Sequence, residues 1–290
     1  MSKEFFEKLF ELSKTEKPFA VATVVHIQGS SSAKPGSKAI IDTDERLLYG
    51  WVGGGCAEST VRYEAAQSIK DGNTRMISID MTDEVLGVGM PCGGTMQVYI
   101  EPILPKPKLV IIGHGKIAET IAAIGKIMNF TVTVNSPAAM PEAFPTADKL
   151  FQGSFGETKI DSQSYVVIAT QHKQDHLSLK LALEGNAAYV ALIASKKRAK
   201  LVLDYVADAG VPASGLSCVR TPAGLDLGAL TPEEIALSVM SEIIAVRRGG
   251  SGQPIHEMTE SQASKSQTVQ AHIHKVVEEC ASDAQSRSLS

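Results

Sequence analysis

From residue 108 onward the chain repeats one theme: a short, nearly continuous apolar run, a polar turn, then a stretch with helical spacing. The runs read KLVIIG, FTVTVN, YVVIAT and YVALIA, and helical stretches at 116–129, 173–184 and 196–209 separate most of them. A strand that is apolar at every position must be covered on both faces, and strands running in one direction need a long crossover between them. Together these predict a Rossmann-like, doubly wound parallel sheet over 108–248. The last helix of this region carries its own start signal. In TPEEIALSVMSEIIAVRR, Thr231 suits the cap, Pro232 the first helical position, and Glu234 the closing side of a capping box.

The first hundred residues follow another rhythm. A helix is predicted over Lys3 to Ser13, a strand at 18–27, and two strands around a turn in KAIID–TDER–LLYGWV. A helix from Cys56 to about Lys70 follows, then the strand-like TRMISID and GTMQVYIE. This is an α+β unit rich in antiparallel pairing. PILPKPK carries three prolines and reads as a stiff connector. The expected organisation is therefore an N-terminal α+β domain at 1–101, a proline-rich linker at 102–107, the Rossmann-like domain at 108–248, and a polar tail at 249–290. That tail is rich in Ser and Gln, and disorder is expected for it apart from a short helix near 270–280.

Composition removes whole classes of function. A net charge of −4 with no basic block beyond SKKRAK argues against a nucleic-acid partner. No apolar run reaches the ~20 residues that a bilayer span requires, so no membrane role is expected. The opening MSKEFFEKLFELSKTEK alternates charge with apolar residues and does not read as a signal peptide. The four cysteines, at 56, 92, 218 and 280, form no C-x-x-C pair, which points away from structural zinc or a disulfide framework and toward the cytoplasm.

Chemistry concentrates in glycine turns. In WVGGGCAES, Gly53, Gly54 and Gly55 run into Cys56 at a predicted helix start. Unpaired N–H groups and the positive end of the dipole there favour thiolate over thiol. A small buried cysteine in a tight turn is the plainer alternative. Glu58 could serve as a general base or hold a loop N–H. GVGMPCGGT repeats the theme with Cys92, Gly93 and Gly94. In VIIGHGKIA, Gly113, His114, Gly115 and Lys116 lie between a strand and a helix, where Gly113 makes the turn and Gly115 admits a phosphate. An NAD site usually ends its second strand in an acid; here the position is Asn135, which can bond a ribose but brings no charge. The loops after later strands offer Thr170, His172, Asp175 and His176, then Ser195, Lys196, Lys197 and Arg198. His172, Asp175 and His176 could ligate a metal, or could simply form the solvated first turn of a helix.

Taken together, GSSSAKPGSKAII, GGGCAES, MPCGGTMQVYIEP, LVIIGHGKIA, YVALIASKKRAK and TPAGLDLGALTPEEIALSVMSEIIAVRR resemble the xanthine dehydrogenase accessory factor family of the XdhC/CoxI type. They fall in that family's order from about 19 to 248. The resemblance implies a chaperone that binds molybdenum cofactor, as molybdopterin or its dinucleotide form. It would assist sulfuration and insertion of the cofactor into a xanthine dehydrogenase- or carbon monoxide dehydrogenase-type hydroxylase. It further implies that apoenzyme as partner, with a cysteine desulfurase and a second copy of the chain as further candidates. Cys56 and Cys92 become candidate contacts to molybdenum or sulfur. Glycines 53–55, 93–94, 113 and 115, with His114, Lys116, Asn135, Thr170, Asp175, Ser195 and Lys197, become candidate cofactor contacts. The alternative from the residues themselves is an NAD(P)-dependent oxidoreductase with a functional cysteine.

Overall fold

The computed structural model describes residues 3–29, 31–80, 94–153, 158–170 and 174–257, with Cys56 as backbone only. The chain divides into two compact units, Met1–Lys106 and Pro107–Ser290.

The first unit runs α1 (Lys3–Ser13), β1 (Phe19–Gly29), β2 (Lys38–Asp42), β3 (Leu47–Gly50), α2 (Cys56–Asp71), β4 (Arg75–Asp80) and β5 (Gly94–Ile103). Its strands form one sheet in the order β3-β2-β1-β5-β4, with every neighbouring pair antiparallel. Successive side chains on a strand point to opposite faces. Thus Ala20, Ala22 and Val24 of β1 join Met96, Val98 and Ile100 of β5 beneath Val61 and Ala65 of α2. Phe19 and Ile40, on the other face, pack with Phe5 of α1. The proline-rich stretch begins inside this sheet rather than after it, because β5 continues through Pro102, opposite Ala20. Pairing with β4 has already ended at Ile100. Pro102 therefore occupies an edge position, where a residue without an N–H is tolerated.

The second unit runs β6 (Lys108–Gly113), α3 (Lys116–Ile127), β7 (Thr131–Asn135), β8 (Lys149–Phe151), β9 (Ser164–Ala169), α4 (Asp175–Glu184), β10 (Tyr189–Leu192), α5 (Lys196–Asp208), α6 (Ala213–Ser217), β11 (Val219–Arg220) and α7 (Pro232–Arg248). The sheet order is β11-β10-β9-β6-β7-β8, all parallel. Counted within the unit, this is the 3-2-1-4-5-6 order of the doubly wound dinucleotide fold, with its switch point between β6 and β9. Both faces are covered, which is why the strands read as continuous apolar runs. Leu109, Ile111, Val132, Val134 and Val167 face α3 and α7, whereas Val110, Ile112, Val166 and Ile168 face α4 and α5.

Helix α7 begins as its residues dictate. Thr231 Oγ1 accepts from the Glu234 N–H, while Glu234 Oε2 accepts from the Thr231 and Leu230 N–H groups. Helix α4 starts at Asp175 rather than 173, since Gln174 at its cap has a left-handed backbone (φ 60°). Strands β8 and β11 and helix α6 carried no usable periodic signal: each is five residues or shorter. The polar tail is described only to Glu257, with a short 3-10 turn at Ile255–Glu257. The helix expected near 270–280 lies outside the described residues.

One acid braces the start of the second sheet. Asp161 accepts from Lys108 Nζ (2.8 Å), Ser164 Oγ (2.9 Å) and the Gln163 N–H (3.1 Å). Burial raises its affinity for a proton, but Lys108, Ser164 and Gln163 outweigh that and hold the carboxyl below its ordinary range. A depressed folded-state pKa contributes stability above the unfolded-state value and loses it as pH falls through the folded-state value. Asp161→Asn is expected to lower stability most at neutral pH and to approach wild type as pH falls, which flattens the acid limb. Urea melts between pH 3 and 7 test this, and parallel curves for the two proteins would contradict it.

Candidate functional site

Strand β6 delivers the first glycine turn against the end of β9, with Gly113 paired to Ala169. Gly113 has φ 137°, and a Cβ there would lie 2.1 Å from the Ala169 carbonyl oxygen. The neighbouring strand alone therefore requires glycine. Gly115 caps α3 with φ 91° and ψ 176°, again a backbone suited to glycine, and makes no side-chain cap hydrogen bond. By contrast, α5 and α7 are capped by Ser195 and Thr231. The first-turn N–H groups of α3 thus form a donor set with the positive end of a helix dipole behind it. Lys116, the first residue of α3, places Nζ 3.8 Å from Glu233 Oε1 at the start of α7. His114 ties the turn to its neighbours. Its N–H donates to the Ala169 carbonyl (3.3 Å), and its Nδ1 lies 3.0 Å from Ser136 Oγ just beyond β7.

Asn135 is fully buried, and its Nδ2 donates to Thr158 Oγ1 at 2.6 Å. That bond ties the end of β7 to the segment leading into β9. The buried Asp175 joins two further loops: Thr170 Oγ1 donates to its Oδ1, and Arg198 Nε and Nη2 each lie 3.1 Å from its Oδ2. Thr170 follows β9 while Asp175 and Arg198 lie in the first turns of α4 and α5, so this cluster ties the three elements together. Ser195 caps α5 by accepting from the Arg198 N–H (3.3 Å), and Lys197 is exposed. The ring of His176 packs against Tyr205, centroids 4.6 Å apart, and His172 lies outside the described residues. Among the described residues, no three His, Cys, Asp or Glu side chains gather as a metal site would require. Sequence reasoning passed over the His114–Ser136 link and the role of Arg198. Neither has a local signal, because each partner comes from another strand or helix.

The second turn belongs to the first unit. Gly53 has φ 112°; Gly55, the cap of α2, has φ 64° and ψ −139° with no side-chain cap hydrogen bond. Gly54 is different: its φ lies outside the left-handed region, and a Cβ there would meet nothing within 4 Å among the described residues. Packing among the described residues does not explain that glycine. Cys56 is the first residue of α2. Glu58, one turn in, pairs with Arg62, the residue four positions on. Gly94 is explained by packing, because a Cβ would lie 2.4 Å from the Gln28 carbonyl oxygen on β1. Cys92 and Gly93 lie outside the described residues.

An antiparallel α+β unit followed by a parallel 3-2-1-4-5-6 sheet with a glycine turn at its switch point defines a two-unit α/β protein with a Rossmann domain. Residues 109–243 match the family model of the XdhC Rossmann domain, and residues 12–80 match that of the XdhC and CoxI family. The chain belongs to the XdhC and CoxI family. It is 30% identical over 256 residues to the uncharacterized protein YqeB of Escherichia coli K12, covering 85% of this chain and 47% of that one. It is 32% identical over 165 residues to a probable xanthine dehydrogenase subunit of Bacillus subtilis 168, covering 53% and 47%. With the molybdenum cofactor insertion chaperone PaoD of E. coli K12 it shares 22% identity over 270 residues, covering 80% and 84%. The chain thus spans about half the length of the first two relatives. No described helix is long and apolar enough to cross a membrane.

Proposed function

We propose that this chain is an accessory protein of molybdenum-enzyme maturation, which holds a phosphate-bearing pterin cofactor and passes it to a hydroxylase apoenzyme in the cytoplasm. The observation that carries the reading is the start of α3: a glycine-built turn at the sheet's switch point, no side-chain cap, and Lys116 beside it. Those donors suit the cofactor's anionic end. Within the first unit, Cys56 at the start of α2, with Cys92, is a separate candidate contact for molybdenum or sulfur. Sulfuration, with a cysteine desulfurase as sulfur source, is part of the same reading. The relative named as a molybdenum cofactor insertion chaperone supports it, as does membership of the family.

A nicotinamide dinucleotide would use the same turn, and the strand order suits it. The end of β7 argues the other way: the residue in the ribose-binding position is an uncharged asparagine, buried and bonded to Thr158. The two ligands separate in one experiment. Protein purified without air from molybdate-fed cells is expected to contain molybdenum and pterin, and Gly115→Ala and Lys116→Ala should each lower that content about tenfold. Nicotinamide without molybdenum in the wild-type protein would overturn the reading. Undiminished content in both variants would move the phosphate site elsewhere.

A further inference from the structure

The segment 221–231 leaves the carboxyl end of the second sheet, where Thr221 Oγ1 donates to the Leu192 carbonyl (3.1 Å). It arrives at the start of α7, where Glu233 meets Lys116 of the candidate phosphate turn. It is fastened at both ends. The Gly224 N–H and the Tyr189 hydroxyl both donate to Glu242 Oε2, at 2.9 and 2.7 Å. The Leu225 N–H donates to the Ser238 carbonyl (3.2 Å), and Ser238 Oγ donates back to the Leu225 carbonyl. Gly224 must be glycine, since a Cβ would lie 2.2 Å from Ser238 Oγ. At the far end the Leu230 and Thr231 N–H groups are held by Glu234 at 2.8 and 2.9 Å. Between these fastenings Leu227 and Leu230 stand 54% and 87% exposed. A fixed loop that holds two leucines in water, rather than folding them under, is a surface awaiting cover.

The charge around it narrows what that cover can be. Residues 221–246 contain Asp226, Glu233, Glu234 and Glu242 and no Lys or Arg. Glu242 and Glu234 are engaged in hydrogen bonds and Glu233 lies 3.8 Å from Lys116, so Asp226 is the acid that the loop 221–231 itself presents beside the leucines in sequence. A second copy docking through the same segment would set acid against acid. We propose that Leu227 and Leu230 form the docking tip for the recipient apoenzyme, inserting into an apolar pocket rimmed by Lys or Arg. This rests on the accessory reading above and adds to it the surface through which the partner is met. Placing that surface beside the phosphate turn brings the recipient to the end of the protein where the cofactor would be held.

The test uses the full chain and the purified, cofactor-free xanthine dehydrogenase-type hydroxylase of the host cell. Leu227→Ser with Leu230→Ser changes only exposed side chains. Molybdenum content and melting temperature are expected to match wild type, while Kd for the apoenzyme rises about tenfold or more. Asp226→Lys, an independent surface change, should weaken binding several-fold at low salt and much less at 0.5 M salt, about where screening removes such contacts. Unchanged apoenzyme affinity in the double variant would overturn the proposal. So would a shift from dimer to monomer with apoenzyme affinity intact, which would make a second copy the occupant. Wild-type protein devoid of molybdenum would defeat the accessory reading on its own, and the apoenzyme affinities would still decide whether this surface docks.

Discussion

Gly113→Ala is expected to lower the melting transition of the second unit by on the order of 10 °C. Alanine there has to adopt φ 137° and bring a Cβ within 2.1 Å of the Ala169 carbonyl oxygen and 2.9 Å of the Thr170 nitrogen. Both neighbours are backbone atoms, at the end of β9 and just past it, so no side chain can swing aside. Backbone strain of about 1–3 kcal/mol and overpacking of about 1–3 kcal/mol add in the same direction. For a unit of this size each kcal/mol moves the transition by about 2–4 °C. Gly54→Ala is the matched control, with an open site and no left-handed φ; it should melt within a degree or two of wild type, or slightly higher. Equal melting of Gly113→Ala and wild type would mean that Gly113 does not pair with Ala169. Because no described residue would meet a Cβ at Gly54, its alanine variant also reports on the proposed ligand. Normal stability with reduced cofactor retention would mark close approach at that turn.

Cys56→Ser should leave melting unchanged and reduce both cofactor retention and hydroxylase activation by about tenfold or more. The start of α2 supplies the reason: a cap glycine, first-turn N–H groups without a side-chain cap, and a Glu58 charge answered by Arg62. Native protein alkylated at mildly acidic pH should be modified first at Cys56. Cys218 is the internal comparison, half-buried with its S–H donating to the Ser214 carbonyl at 3.4 Å. It should react slowly. If Cys56 escapes alkylation and the serine variant still activates the hydroxylase, the thiol is a packing residue and the glycine turn before α2 is structural.

Much of this architecture was readable from residue order, because its signals are local. The nearly continuous apolar runs of β6, β7, β9 and β10 announced strands covered on both faces, and the Thr231–Pro232–Glu234 sequence announced the start of α7 at the residue where it begins. The glycine turns could be placed at strand-to-helix junctions for the same reason: turn chemistry spans only a few residues. Their meanings could not be separated in that way. Gly113 and Gly94 are required by carbonyls of neighbouring strands, Gly55 and Gly115 by the backbone of a helix cap, and Gly54 by none of these. The candidate cofactor contacts divide likewise. Asn135 and Asp175 are buried braces bonded to Thr158, Thr170 and Arg198, whereas Lys116 and Lys197 reach solvent. Residue order by itself determined the class of each unit, the position of each turn and the likeness to a family. Strand register, the pairing of distant side chains and the partners of each glycine were decided by tertiary structure alone. A periodic pattern says which face of an element is buried; which atoms meet it depends on contacts between residues tens of positions apart, and those exist only once the sheet has formed.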